Sequence, residues 1–162
     1  MALLSILSKP FASYMTKQTM LWSKNAELMQ KRIFEQLISG GKTTLFGKDH
    51  WLSSVKTYES FREQVPVRDY EDLKPYIERI KKGEENVLWP GKPLYLSKTS
   101  GTTSGVKYIP LTRASIPNHI NSTRNALLSY IHETGKAKFL DGKLIFLSGS
   151  PALETINGIP VG

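Results

Sequence analysis

The sequence predicts an α/β protein in which helices pack on a partial sheet, and three observations predict it. A loop rich in Gly, Ser and Thr at 97–107 is flanked by stretches with strand-like alternation. Apolar residues recur at helical spacing over 21–38, 70–80 and 116–131. The run Lys143-Leu-Ile-Phe-Leu147 has the length and composition of a buried strand.

Taken in chain order, the brief apolar run in Met1-Ala-Leu-Leu-Ser-Ile-Leu-Ser-Lys-Pro has no basic segment before it and no cleavage-like segment after it, so it does not read as a signal peptide. No stretch approaches the roughly 20 apolar residues of a membrane helix, and no membrane partner is expected. Leu21, Leu28, Ile33, Phe34, Leu37 and Ile38 fit a helical stripe closed by Gly40-Gly41, which reads as a packing helix. Gly40 to Gly47 reads as a loop. Its Gly-Gly-Lys-Thr-Thr imitates the end of a Walker loop, but no glycine stands five positions before Gly41 and no apolar strand precedes it.

Tyr58 to Gln64 is a short helix with Thr57 at its N-cap. Tyr70, Leu73, Ile77 and Ile80 then share one helical face, Gly83 supplies the stop, and Pro75 either starts that helix or kinks it. Pro93-Leu-Tyr-Leu-Ser97 alternates like a strand, and Tyr108-Ile-Pro110 resumes an extended course. Thr112 is placed to cap a helix from about Arg113 to Thr134, with Ile116, Ile120, Leu127, Leu128 and Ile131 apolar and Pro117 in its first turns. Asn118, Asn121, Ser122 and Asn125 lie opposite that stripe, where water is their expected neighbour. Ser148-Gly-Ser150 reads as a turn after the last strand candidate.

The loop between the two predicted strands, Ser97-Lys-Thr-Ser-Gly-Thr-Thr-Ser-Gly-Val-Lys107, carries the chemistry. Gly101 and Gly105 tolerate positive φ, so the backbone can fold back and aim successive N–H groups into one concavity suited to an anion. Ser100, Thr102, Thr103 and Ser104 add hydroxyls on short stems, and Lys107 adds a cation two residues past the second glycine. It is not a Walker loop, because three residues rather than four separate the glycines and Pro110 blocks direct continuation into a helix. Composition alone equally describes a hydroxyl-rich surface turn; the position of Lys107 and the flanking strands point to phosphate.

Ser100-Gly-Thr-Thr-Ser-Gly105 followed by Lys107 resembles the nucleotide-phosphate loop of the adenylate-forming superfamily, the firefly-luciferase-like enzymes. Val65-Pro-Val-Arg-Asp-Tyr-Glu-Asp-Leu-Lys-Pro-Tyr-Ile-Glu-Arg-Ile80 and Leu94 to Thr112 narrow the likeness to the auxin-responsive acyl-acid amido synthetases of plants and their bacterial relatives, with Gly158-Ile-Pro-Val-Gly162 resembling a further segment. Residues 60 to 125 carry most of the match. Plant members place two residues between the second glycine and the lysine, whereas Val106 stands there alone.

The resemblance implies an ATP-dependent ligase. A carboxylic acid is adenylated with release of pyrophosphate, and an amino acid or other amine then displaces AMP to form an amide. It implies ATP and Mg2+ as cofactors and places Thr99, Ser100, Gly101, Thr102, Thr103, Ser104, Gly105 and Lys107 at the phosphates, with Thr102 and Lys107 acting in catalysis. The chemistry suits such a loop, because phosphate transfer needs positioning and charge neutralisation more than a covalent nucleophile. The fold implied is the N-terminal part of an adenylate-forming large domain, spanning residues 1–162, with the rest of that domain and a smaller C-terminal domain absent. Such a part is expected to be inactive alone, and an uncovered sheet edge and apolar face favour self-association.

Composition is compatible with this. The chain has 162 residues, 40% hydrophobic and 22% charged, within the range of one globular domain. The absence of cysteine excludes disulfides and thiolate zinc sites and fits a reducing cytoplasm. His50, His119 and His132 lie far apart without ligand spacing, so no metal site is predicted from them and each reads as a surface or boundary residue. The net charge of +8, from 22 Lys and Arg against 14 Asp and Glu, raises nucleic-acid binding. Yet the basic residues are scattered among acidic ones and form no recognised nucleic-acid motif, so a solvated basic surface is the reading and no nucleic-acid partner is expected. Two further readings of the loop stay open at this level: an acyl-CoA synthetase, which would deliver the acyl group to a thiol, and a nucleotide-binding module without catalysis.

Overall fold

The computed structural model of the chain describes residues 3–99, 105–143, 145 and 154–162. It divides into two compact units, Met1–Met29 with Ala114–Ser148, and Gln30–Arg113 with Gly149–Gly162.

In the first unit, helix α1 (Leu3–Lys24) packs on helix α6 (Ile116–Thr134) and on a 3-10 turn at Lys138–Asp141. The buried side of α1 is made of small residues, Ser5, Ala12 and Thr16, spaced to fall on one face and able to let a neighbouring helix come close. Ala12 joins Leu128, Ile131 and Ala137 in a small core edged by Met15, Phe139 and Leu140. Helix α6 opens at Ile116 after a turn over 113–115, so that Ser115 rather than Thr112 stands at the N-cap, three residues later than read, with Pro117 tolerated in the first turn. Gly135 closes it at φ +68°. Of its apolar stripe, Leu128 and Ile131 are buried while Ile120 and Leu127 are exposed.

The second unit holds the sheet. Its four strands, β1 (Tyr95–Thr99), β2 (Lys107–Leu111), β3 (Glu154–Ile156) and β4 (Ile159–Val161), lie in the order β2-β1-β4-β3. β1 is antiparallel to β2 and parallel to β4. β3 and β4 form a hairpin whose two-residue turn, Asn157-Gly158, has positive φ at both positions (47° and 74°), the turn whose twist matches paired strands. Helix α5 (Tyr70–Lys81) covers the sheet with Ile77 and Ile80, which meet Val87, Leu96, Ile159 and Val161 in the main core. Tyr70 and Leu73 of the predicted face are half-buried at its margin.

Local signals explain the helix boundaries. Asp69 accepts from Asp72 N–H at 3.0 Å and opens α5. Pro75 therefore does not start the helix but lies within it. Thr57 and Ser60 cap each other's backbone at the head of helix α4 (Tyr58–Gln64).

The stretch 26–50 departs from its reading in three ways. Gly40-Gly41 closes helix α2 (Ala26–Gly41) as read, but Gly40 to Gly47 is not a loop, since only residues 42–44 separate α2 from a second helix, α3 (Leu45–Asp49), which is capped by the buried Thr44 and contains Gly47. A Cβ at Gly40 would come within 2.6 Å of the Trp89 ring, so a larger residue there would have to displace that ring. The stripe read as one packing helix over 21–38 is split between α1, which holds Leu21, and α2, and is largely unburied: Leu21, Leu28, Ile33 and Leu37 are exposed, and Phe34 contacts the Tyr58 and Phe61 rings edge-on. A helical period reports a face, and whether that face is covered depends on neighbours. His50 is likewise not a surface residue. It is 4% exposed and stacked on Phe46, with Nδ1 bonded to the Phe46 carbonyl at 2.8 Å and Nε2 accepting from Arg68 at 3.1 Å.

Ser148-Gly-Ser150 and most of the strand candidate at 143–147 fall outside the described residues; Ile145 is described and is 86% exposed. No helix among the described residues is long and apolar enough to cross a membrane.

Candidate functional site

The predicted strand–loop–strand is present. β1 and β2 are adjacent antiparallel strands in register from Tyr95↔Leu111 to Thr99↔Lys107, so residues 100–106 close the hairpin. The last residue of β1 and the first of β2 are thus Thr99 and Lys107. Direct opposition puts their side chains on the same face of the sheet at the mouth of the loop. Both are half-buried. Gly105 has φ +80° with open space where a Cβ would stand, so backbone conformation rather than crowding asks for glycine there. Ser100, Gly101, Thr102, Thr103 and Ser104 lie outside the described residues.

Three cations stand around this end of the sheet in different electrostatic states. Lys98 pairs with Glu154 at 2.6 Å; that hydrogen bond, more than charge attraction, holds the Lys98 ammonium above and the Glu154 carboxyl below their ordinary ranges. Lys81 pairs with Glu78 at 2.7 Å and lies 4.8 Å over the Tyr108 ring. Lys107 belongs to none of the ion pairs found among the described residues. Its ammonium sits 5.4 Å from the centre of the Tyr70 ring, an attraction of cation to π-face that leaves its positive charge uncancelled. Tyr70 was legible in the sequence only as one position of an apolar helix face. In the structure its hydroxyl also accepts the Tyr108 N–H at 2.9 Å. The signal for this was its residue type, since a tyrosine at a core margin places its polar tip on a partner.

The polar positions opposite the apolar stripe of α6 remain open to solvent. Asn118, Asn121 and Ser122 are exposed and Asn125 is half-buried beside the Arg124 guanidinium. A cavity of about 90 Å³ lined by Ile80, Val87, Leu88, Pro93 and Pro110 lies toward the opposite end of β2 from Lys107 and has room for only a few waters. No group of three or more His, Asp or Glu able to hold a metal occurs among the described residues.

Residues 16–162 match the model of the GH3 family N-terminal domain. This chain belongs to the GH3 family. It is 34% identical to the indole-3-acetic acid-amido synthetase GH3.15 of Arabidopsis thaliana over 85% of its own length and 23% of that protein's. It is 25% identical to the jasmonoyl–L-amino acid synthetase JAR4 of Nicotiana attenuata over 86% of itself and 24% of that protein. Among solved structures it superposes on AtGH3.15 acyl acid amido synthetase in complex with 2,4-DB with a TM-score of 0.72 and 28% identity, covering 85% of this chain and 24% of that one. The chain thus spans about a quarter of the length of these relatives.

Proposed function

We propose that this GH3 chain is the phosphate-holding N-terminal part of an ATP-dependent acyl-acid amido synthetase. In the reaction, a carboxylate oxygen of the acid attacks the α-phosphorus of ATP. The acyl–O–P bond forms as the bond from the α-phosphorus to the bridging oxygen breaks, and pyrophosphate leaves with that electron pair. The amine nitrogen of an amino acid then attacks the acyl carbon, AMP departs, and the nitrogen loses a proton.

In this reading the segment from Thr99 to Lys107 holds the β- and γ-phosphates. The observation that carries it is Lys107, a cation with no carboxylate partner among the described residues, opposite Thr99 at the mouth of a loop that returns through Gly105 at positive φ. A cation so placed neutralises charge gathering on the departing pyrophosphate. Thr99, Thr102 and Thr103 supply hydroxyl donors and the backbone supplies N–H groups. Magnesium, when bound, would share the phosphate charge. This segment would offer it hydroxyl oxygens.

The test is acid-dependent ATP–pyrophosphate exchange over a panel of aryl and alkyl carboxylic acids, run on the complete enzyme carrying this segment beside the 162-residue chain. Exchange is expected in the complete enzyme only. Lys107→Ala should lower kcat/KM for ATP about tenfold or more, the scale of a charged hydrogen bond, and Thr102→Val about fivefold. Unchanged ATP kinetics in both variants would remove the phosphate assignment.

A further inference from the structure

We infer that Tyr70 is a positioning residue for the phosphate loop, setting the place of Lys107 and the line along which β2 leaves the loop. The inference rests on the proposed role of Lys107 and adds a residue outside the loop to it.

Three observations converge on α5. Its first residue, Tyr70, and its last, Lys81, both grip the start of β2: Tyr70 through the Lys107 ammonium and the Tyr108 N–H, Lys81 through the face of the Tyr108 ring. β2 is the outer strand of the four described. A backbone N–H on the outer side of such a strand has no ladder partner, and the Tyr70 hydroxyl supplies one at 2.9 Å for Tyr108. The same side chain offers its π-face to the ammonium of the preceding residue. Tyrosine alone among the common side chains joins an acceptor oxygen to an aromatic face in this way; phenylalanine keeps the face and loses the oxygen, and leucine keeps neither.

Tyr70 is itself well anchored. It follows the Asp69 cap, so the helix starts at a fixed residue, and Ile77 and Ile80 further along the same face are in the core. A lysine side chain carries four rotatable bonds, and their freedom is lost when it binds phosphate. An aromatic face that holds the ammonium near the mouth of the loop removes part of that freedom in advance, which favours ATP binding.

The experiment is a double-mutant cycle in the complete enzyme, with ATP as the varied substrate in pyrophosphate exchange and thermal midpoints recorded for every variant. Tyr70→Leu should raise KM for ATP about fivefold when Lys107 is present and less than about twofold in the Lys107→Ala background, with kcat changing less than KM. Tyr70→Phe, which keeps the ring and therefore the packing, should raise KM about twofold with Lys107 present and leave it unchanged without; it carries the test if Tyr70→Leu does not fold. Equal effects in both backgrounds, or a lowered thermal midpoint with unchanged KM, would make Tyr70 a packing residue and overturn the inference while the phosphate reading stands. Unchanged kcat and KM for ATP on Lys107→Ala would overturn the phosphate role of Lys107 and the inference with it.

Discussion

The two units of this chain bury apolar surface in different ways. Around the hairpin, α5 and the two central strands β1 and β4 converge on Ile77, Ile80, Val87, Leu96, Ile159 and Val161, all buried, with Tyr70, Tyr76 and Tyr108 among the residues at the margin. In the other unit the core is Ala12, Leu128, Ile131 and Ala137, while α1 leaves Leu3, Leu4, Ile6, Leu7, Met20, Leu21 and Trp22 exposed. Hydrophobic stabilisation scales with the apolar area removed from water. The sheet unit therefore has the larger buried apolar cluster and carries the candidate site on it, although it too leaves residues such as Ile33, Leu37, Trp51 and Val67 exposed. Position in a packed scaffold matters for Lys107, because a cation displaced by an ångström loses most of its benefit to a developing charge.

The largest expected effect tests the better-packed side of this contrast. Leu96 is 0% exposed in a central strand, and Leu96→Ala should cost about 3 kcal/mol through lost burial and a residual cavity. Leu21→Ala on the exposed face of α1 should stay within about 0.5 kcal/mol. Urea midpoints on the purified chain measure both. A large loss at Leu21 would break the contrast, showing that the exposed face of α1 is covered in solution.

A smaller effect is expected at the head of α5. Asp69→Ala removes the side chain that accepts Asp72 N–H and should cost about 1 kcal/mol. If the start of α5 also places Tyr70, the variant should show reduced amide protection at Tyr108 by hydrogen exchange, while amides of α6 keep theirs. A uniform change across both units would deny the sheet unit its separate rigidity.

The smallest effect is electrostatic. The Glu84 carboxyl is held below its ordinary range first by its hydrogen bond from Arg79, and that of Glu154 by its bond from Lys98. A carboxyl depressed on folding stabilises the folded state above its unfolded pKa, about 4.3 for Glu, and that contribution disappears as pH falls through the folded value. All four groups are exposed, so the contribution is small and salt-sensitive. Glu84→Gln with Glu154→Gln should lower the urea midpoint slightly at pH 7 and leave it unchanged near pH 2. A deficit that persists at the lower pH would mean the glutamines disturb packing instead.

Several elements were legible because their causes are local. Thr57 before a helical run, alternation on either side of a Gly/Ser/Thr loop, and Tyr70, Leu73, Ile77 and Ile80 at helical spacing each depend on a few neighbouring residues, and the structure carries all three. Readings failed where a distant partner decides. Gly40 to Gly47 has the composition of a loop, yet its second half is taken up by α3, whose first N–H groups, at Leu45 and Phe46, donate to the distant Asn86 and Val87 carbonyls. His50 looks like any boundary histidine until Phe46 and Arg68 close over it. The stripe from Leu21 to Ile38 has the period of a packing face, but period says nothing about coverage.

By itself, then, the sequence determined the strand–loop–strand, the cation two residues beyond Gly105 and the family resemblance, since backbone freedom at glycine and hydroxyl chemistry are properties of the residues themselves. Only the tertiary structure decided that Lys107 stands opposite Thr99 without a carboxylate partner among the described residues while Lys81 and Lys98 have theirs. It also brought Tyr70, 37 positions before Lys107 in the chain, beneath that ammonium. Ion pairing and ring contacts act over a few ångströms between residues far apart in sequence, and the folding of α5 onto the sheet is what brings them within that range.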